Sequence, residues 1–119
     1  MSYDISLVDP VTNQVLEGDS PHQMKGGTYA LGGTTELSLN VTYNYCKYYY
    51  KTIDEKDGIK FLHGKTGAET IPVLKEAILK LGDDVSSDYW EATEGNAKRA
   101  LTQLLALASM RPDGVWEVE

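Results

Sequence analysis

The chain has 119 residues, 41% of them hydrophobic, which suits one domain with its own core and excludes a disordered segment. Eighteen acidic residues against eleven basic ones give a net charge of -7, which argues against a broad phosphate-neutralising face and so against long nucleic acid as a partner. A small anion stays within reach, because backbone amides and one or two arginines can hold a phosphate inside an acidic protein.

No apolar run approaches the ~20 residues that span a bilayer, so no membrane partner is expected. Asp4 and Asp9 stand where a secretion signal would carry basic and then apolar residues. Cys46 is the single cysteine, so no disulfide within the chain is expected and a cytoplasmic setting is. That cysteine with His22 and His63 forms no recognisable metal constellation, and no cofactor fingerprint is present.

Residues 3–8 alternate, with Tyr3, Ile5 and Leu7 on one side and Asp4 and Ser6 on the other, the period of a half-buried strand. A turn through Asp9, Pro10 and Asn13 predicts a hairpin, with residues 14–17 as the returning partner. A break at Gly18–Pro21 leads to His22 and to the pair Gly26 and Gly27. This segment reads either as a surface loop or as backbone that approaches a ligand and aims amides at an anion. A second hairpin is predicted from arms 28–31 and 36–43 around Gly32, Gly33, Thr34 and Thr35. In its second arm Leu37, Leu39, Val41 and Tyr43 face one way, and Ser38, Asn40, Thr42 and Asn44 the other. The polar side is either solvated or lines a pocket under the helices that follow.

Five tyrosines fall within residues 43–50, where a short helix is predicted. They read either as amphipathic packing with wet hydroxyls or as a wall on which a purine stacks. Gly64, Lys65 and Thr66 imitate the end of a P-loop, but the upstream glycine and the preceding strand of that motif are missing. Ile71, Leu74, Ile78 and Leu81 predict a helix that starts near Thr70, because Pro72 suits only a helix start, and stops at Gly82. Residues 83–94 form an acidic linker that Tyr89 and Trp90 would pin to the body. Thr93 caps a second amphipathic helix through Ala97, Leu101, Leu104, Leu105 and Ala108. Its polar stripe of Asn96, Arg99 and Gln103 begins where helix amides favour an anion. A turn at residues 111–114 and an edge strand at 115–118, with Trp116 on the core, complete the chain. Hairpins first and helices afterwards predict a single α+β domain over residues 1–119, an antiparallel sheet packed by two or three helices.

The phrases SPHQMKGGTYALGGTTE, NVTYNY, GKTGAETIPVLKEAI, YWEATEGNAKRAL and MRPDGVW resemble a family of small, uncharacterised proteins of phages and prophages. The resemblance runs from residue 3 to residue 116 and carries no catalytic residues with it. It implies a setting, the infected bacterial cell, and by analogy of context a role against host defence.

Three functional expectations follow. The first is a protein that sequesters a small nucleotide signal, ADP-ribose-derived or cyclic, without chemistry. Its ligand-binding candidates are His22, Gly26, Gly27, Thr28, Thr34, Thr35, Asn40, Tyr43, Asn44, Tyr45, Tyr48, Asn96, Arg99 and Arg111. Adenine would stack on Tyr43, Tyr45 or Tyr48, and phosphates would take Arg99 or Arg111 with glycine amides. The second is a phosphodiesterase-type enzyme with His22, His63 or Glu36 as general base. The third is an acidic interaction protein that blocks a host nucleic-acid-binding site through Asp83, Asp84, Asp88, Glu91 and Glu94. Tyrosine-rich arms and an edge strand also allow a homo-oligomer.

Overall fold

A computed structural model describes residues 1–22, 26 and 33–119. The architecture is α+β, with strands mostly in the N-terminal half and helices in the C-terminal half. The strands are β1 (Ser2–Val8), β2 (Glu17–His22), β3 (Thr34–Glu36), β4 (Ser38–Thr42) and β5 (Val115–Val118). The helices are α1 (Cys46–Thr52), α2 (Gly67–Lys80) and α3 (Glu94–Met110), with 3-10 turns at Tyr43–Tyr45 and Gly58–Leu62.

Both sheets are antiparallel: a three-stranded sheet ordered β4-β1-β5 and a two-stranded ribbon of β2 and β3. Register follows the alternation of the sequence. Tyr3 lies opposite Val41, Ile5 opposite both Leu39 and Val118, and Leu7 opposite Trp116, so these apolar residues share one face, and only the Val8–Val115 pair falls on the other. The shared face joins Leu74, Ala77, Ala97, Leu101 and Leu104 of α2 and α3 in one core. Trp116 is buried there, and its indole N–H donates to Thr70 Oγ1 at 2.7 Å, so the polar end of the ring is satisfied from α2.

The first predicted hairpin forms as a short return, with Val15 bridged antiparallel to Val8, and the second pairs differently from expectation. The turn after β1 does form, closed by Asp9 N–H to Gln14 O (2.8 Å) and by Asp9 Oδ1, which accepts from Val11 and Thr12. The return reaches only Leu16, whose N–H donates to Leu7 O. Both flanks of β1 are taken by β4 and β5, so the chain leaves as β2 and pairs with β3. Leu37 causes the departure of the second hairpin. Its carbonyl accepts from Leu7 N–H, its N–H donates to Leu16 O, and its side chain is fully buried. It therefore splits the predicted arm 36–43 into β3 on the ribbon and β4 on the sheet. Thr34 and Thr35, expected in a turn, belong to β3. The other predicted arm, 28–31, lies outside the described residues.

Neither edge of the larger sheet is open. Outside β4, Gly26 N–H donates to Asn40 O (2.7 Å) and Thr42 N–H donates to the Tyr89 hydroxyl (2.9 Å). Outside β5, Gly64 N–H donates to Trp116 O and Trp116 N–H to Lys65 O, both at 2.9 Å. A covered edge cannot template pairing with another chain.

Helix α2 begins three residues before the expected Thr70. Thr66 and Glu69 form a reciprocal capping box, and this local signal outweighs Pro72, which sits inside the helix instead of at its start. The amides of Gly67 and Ala68 donate to Gly114 O and Pro112 O, which docks the helix start on the 111–114 turn. A Cβ on Gly67 would lie 3.0 Å from Arg111 O, so this approach needs glycine. Thr93 caps α3 as expected, accepting from Asn96 N–H at 3.1 Å. Among the described residues, no helix is long and apolar enough to cross a membrane.

Candidate functional site

A groove of about 330 Å³ runs between the C-terminal half of α3 and the strands beside it, lined by His22, Leu39, Gln103, Ala106, Leu107 and Met110. The α3 side follows from helical spacing. Arg99, Gln103, Ala106 and Met110 recur at i, i+4, i+7 and i+11, so they form one stripe. The predicted polar stripe therefore continues into an apolar one. The opposite wall is Leu39 of β4, with β2 along the rim. Gly18 of β2 lies close to Met110, a Cβ there being 3.7 Å from the Met110 sulfur, and His22 ends the same strand. His22 Nε2 donates to Glu36 O at 2.6 Å, which fixes the ring through the ribbon, and Thr34 is its register partner.

Beyond Gln103 the stripe ends at Arg99, whose guanidinium is exposed and makes no hydrogen bond or ion pair among the described residues. Gly26 packs against α3 at the following residue, Ala100. An added Cβ there would meet Ala100 Cβ and Leu39 Cδ2, both at 2.9 Å, and Val41 Cγ2 at 3.1 Å. Gly26 is therefore the spacer that lets the chain pass between β4 and α3, and its amide is used by Asn40 O. Gly27 and Thr28 lie outside the described residues.

The other sequence candidates fall elsewhere. Tyr45, Tyr48 and Asn96 work together, but on the acidic strap of residues 83–93. The hydroxyls of Tyr45, Tyr48 and Tyr49 donate to the carbonyls of Tyr89, Ala92 and Ala97. Asn44 Nδ2 donates to Trp90 O at 2.7 Å. Asn96 is fully buried, accepts from Ser86 N–H at 3.0 Å, and donates to the carbonyls of Asp88 and Glu91, both at 3.1 Å. Tyr89 is the buried member of the aromatic pair of the strap, and Trp90, 53% exposed, stands edge-on to its ring at 5.0 Å. Burial raises the phenols of Tyr45, Tyr49 and Tyr89 above their ordinary value, so they stay neutral donors.

Tyr43 stands edge-on to Tyr3 at 4.5 Å. Asn40 Nδ2 donates to Ser2 Oγ (2.7 Å) and Asp4 Oδ1 (2.8 Å) on the outer face of the sheet. Thr35 Oγ1 donates to Glu17 within the ribbon. Arg111 is engaged by both carboxylate oxygens of Asp113, at 3.0 and 2.9 Å, and this pair holds the Asp113 carboxyl below its usual range. The strap carboxylates serve local structure: Asp83 meets Lys98 Nζ at 2.7 Å, Asp84 accepts from Gly95 N–H, and Glu94 from Gly82 N–H.

The geometry thus places His22 in the groove lining, with Thr34 as its register partner and Arg99 one helical turn before Gln103 on the same stripe, while Gly26 packs between β4 and α3. It adds Ala106, Leu107 and Met110, which sequence reasoning missed although the spacing from Arg99 pointed to two of them. Such a groove can hold a flat apolar body between α3 and Leu39, with amide and imidazole groups at its edge and a cation at one end. No protein-family model, no curated protein and no solved structure matches the chain.

Proposed function

We propose that this chain binds a small nucleotide-like ligand and holds it without chemistry. The observation that supports this reading is the α3 stripe, an apolar groove with Arg99 at its end. The groove volume of about 330 Å³ lies within the ~300–1,000 Å³ of small-molecule sites. A base would lie against Leu39, Ala106 and Met110, its edge toward Gln103 and His22, and a phosphate would reach Arg99. In the setting that the phage-type phrases imply, the ligand is an ADP-ribose-derived or cyclic nucleotide signal in the host cytoplasm, and tight binding lowers its free concentration.

The histidines favour binding over turnover. His22 spends Nε2 on Glu36 O, and His63 spends Nδ1 on Val118 N–H, on separate parts of the surface. The test is recovery of the ligand. Purified protein is mixed with ADP-ribose-derived signals or cyclic dinucleotides, free ligand is measured by chromatography, and the sample is heat-denatured and measured again. Ligand that disappears and returns intact supports sequestration. Ligand replaced by products makes the chain an enzyme, and no loss of any of these nucleotides overturns the nucleotide reading.

A further inference from the structure

A second concave surface lies at the far end of the sheet, independent of the groove. It is a shallow cleft of about 450 Å³ lined by Asp57, Lys60, Phe61, His63, Lys65 and Val118. The segment after the Gly58–Leu62 turn runs along the outer edge of β5, and Gly64, at φ +81, provides the bend. At the last position of this edge a side chain replaces the backbone acceptor: Val118 N–H donates to His63 Nδ1 at 3.0 Å.

That hydrogen bond determines the imidazole. A nitrogen that accepts cannot carry the proton, so neutral His63 holds its hydrogen on Nε2. The cleft therefore contains an oriented N–H donor as well as two ammonium groups. Lys65 is preorganised. Its Nζ donates to Phe61 O at 2.7 Å and stands 3.9 Å from the centre of the Phe61 ring, which leaves two of its three N–H groups for a ligand. Lys60 is exposed and makes no hydrogen bond or ion pair among the described residues. Asp57 is the one acid of the lining, so cationic side chains outnumber anionic ones here in a chain whose net charge is -7.

We infer that this cleft is an anion-binding site for a phosphate group, held by Lys60, Lys65 and the Nε2–H of His63. Lysine acts on phosphate as a point charge, and three donors around one concavity suit a tetrahedral oxyanion better than a planar carboxylate. The site uses no residue of the α3 groove, so either can fail without the other.

The test is an NMR titration of the whole chain with inorganic phosphate at constant ionic strength, with acetate as a parallel arm. Saturable shifts of the His63 ring and the Val118 amide are expected with phosphate and weaker ones with acetate. Equal response to acetate replaces phosphate by oxyanions in general and overturns the phosphate assignment. A Lys60→Gln/Lys65→Gln double variant is expected to bind phosphate at least about tenfold more weakly, from the loss of two charge-assisted bonds. His63→Asn supplies the control: its side-chain oxygen can still accept from Val118 N–H, so the edge stays closed, while its shorter amide N–H group falls short of the position that Nε2–H holds. It is expected to fold with an unchanged thermal midpoint and to lose affinity. Shifts that do not saturate, or that persist unchanged in the folded double variant, overturn the site.

Discussion

The Tyr89 hydroxyl accepts the backbone N–H of Thr42 at 2.9 Å and stands 3.4 Å from the carbonyl oxygen of Asn40, so one side chain of the strap closes the outer edge of β4. In Tyr89→Phe the ring stays and the hydroxyl goes, leaving a buried amide without its acceptor. The expected loss is about 1–3 kcal/mol. Urea unfolding checks it: the midpoint falls while the slope is unchanged, because the surface exposed on unfolding is the same. An unchanged midpoint would mean that water replaces the hydroxyl at that edge.

Asn96 attaches the strap from inside α3. Asn96→Ala removes three hydrogen bonds at once and leaves Ser86 N–H and two carbonyls to find other partners. The expected destabilisation is about 2–4 kcal/mol. Amide exchange tells where it falls. Protection is expected to drop first at residues 84–92, with the β1–β4 ladder still slow, because the strap can open without the sheet.

Alternation and capping were legible in the sequence, and pairing was not. The strand of residues 3–8, the edge strand with Trp116, the Thr93 cap and the short tyrosine helix are set by local pattern, and each stands as expected. The second hairpin departs from expectation at Leu37, because the role of that residue is a long-range one: it joins Leu7 and Leu16, and nothing in its neighbours distinguishes it from Leu39. The start of α2 follows the Thr66–Glu69 capping box, a local signal stronger than the preference of Pro72 for a helix start. At the candidate site the polar residues drew attention. Asn96 and Tyr45 proved to be buried hydrogen-bonding groups, a fate that residue type cannot signal, since both chemistries suit a ligand equally well. Gly26 was similar: a permissive backbone and a tight crossing need the same residue.

Alkaline pH should loosen the core. Burial pushes the Tyr3 phenol up to about 12, and those of Tyr45 and Tyr49 are raised as well. In the unfolded chain these groups ionise near their ordinary value of 10, so above pH 10 the unfolded state binds fewer protons than the native one. Stability is thus complete below pH 10 and falls as pH rises toward the folded values, by up to ~1.4 kcal/mol per pH unit for each tyrosine. Urea midpoints measured on either side of pH 10 are expected to show this fall. Tyr3→Phe should make it shallower, and an identical fall in that variant would assign the effect to other groups.

The groove reading makes a paired prediction that separates binding from folding. Arg99 is exposed and Ala106 faces outward from α3, so neither supports the core. Arg99→Ala should leave the unfolding free energy within about 0.5 kcal/mol of the parent, as surface substitutions do. It should weaken a nucleotide ligand by roughly tenfold or more, the effect of one lost charge-assisted contact. Ala106→Trp keeps the cation and fills the apolar channel beside Leu39 and Met110. It should abolish binding of any ligand that lies in the groove and leave phosphate at the His63 cleft untouched. Calorimetric titration of both variants with the nucleotide that the parent depletes decides the matter. Affinity lost in Arg99→Ala but kept in Ala106→Trp would move the ligand off the groove and onto the helix surface around Arg99. Affinity kept in both would remove the α3 stripe from the site altogether.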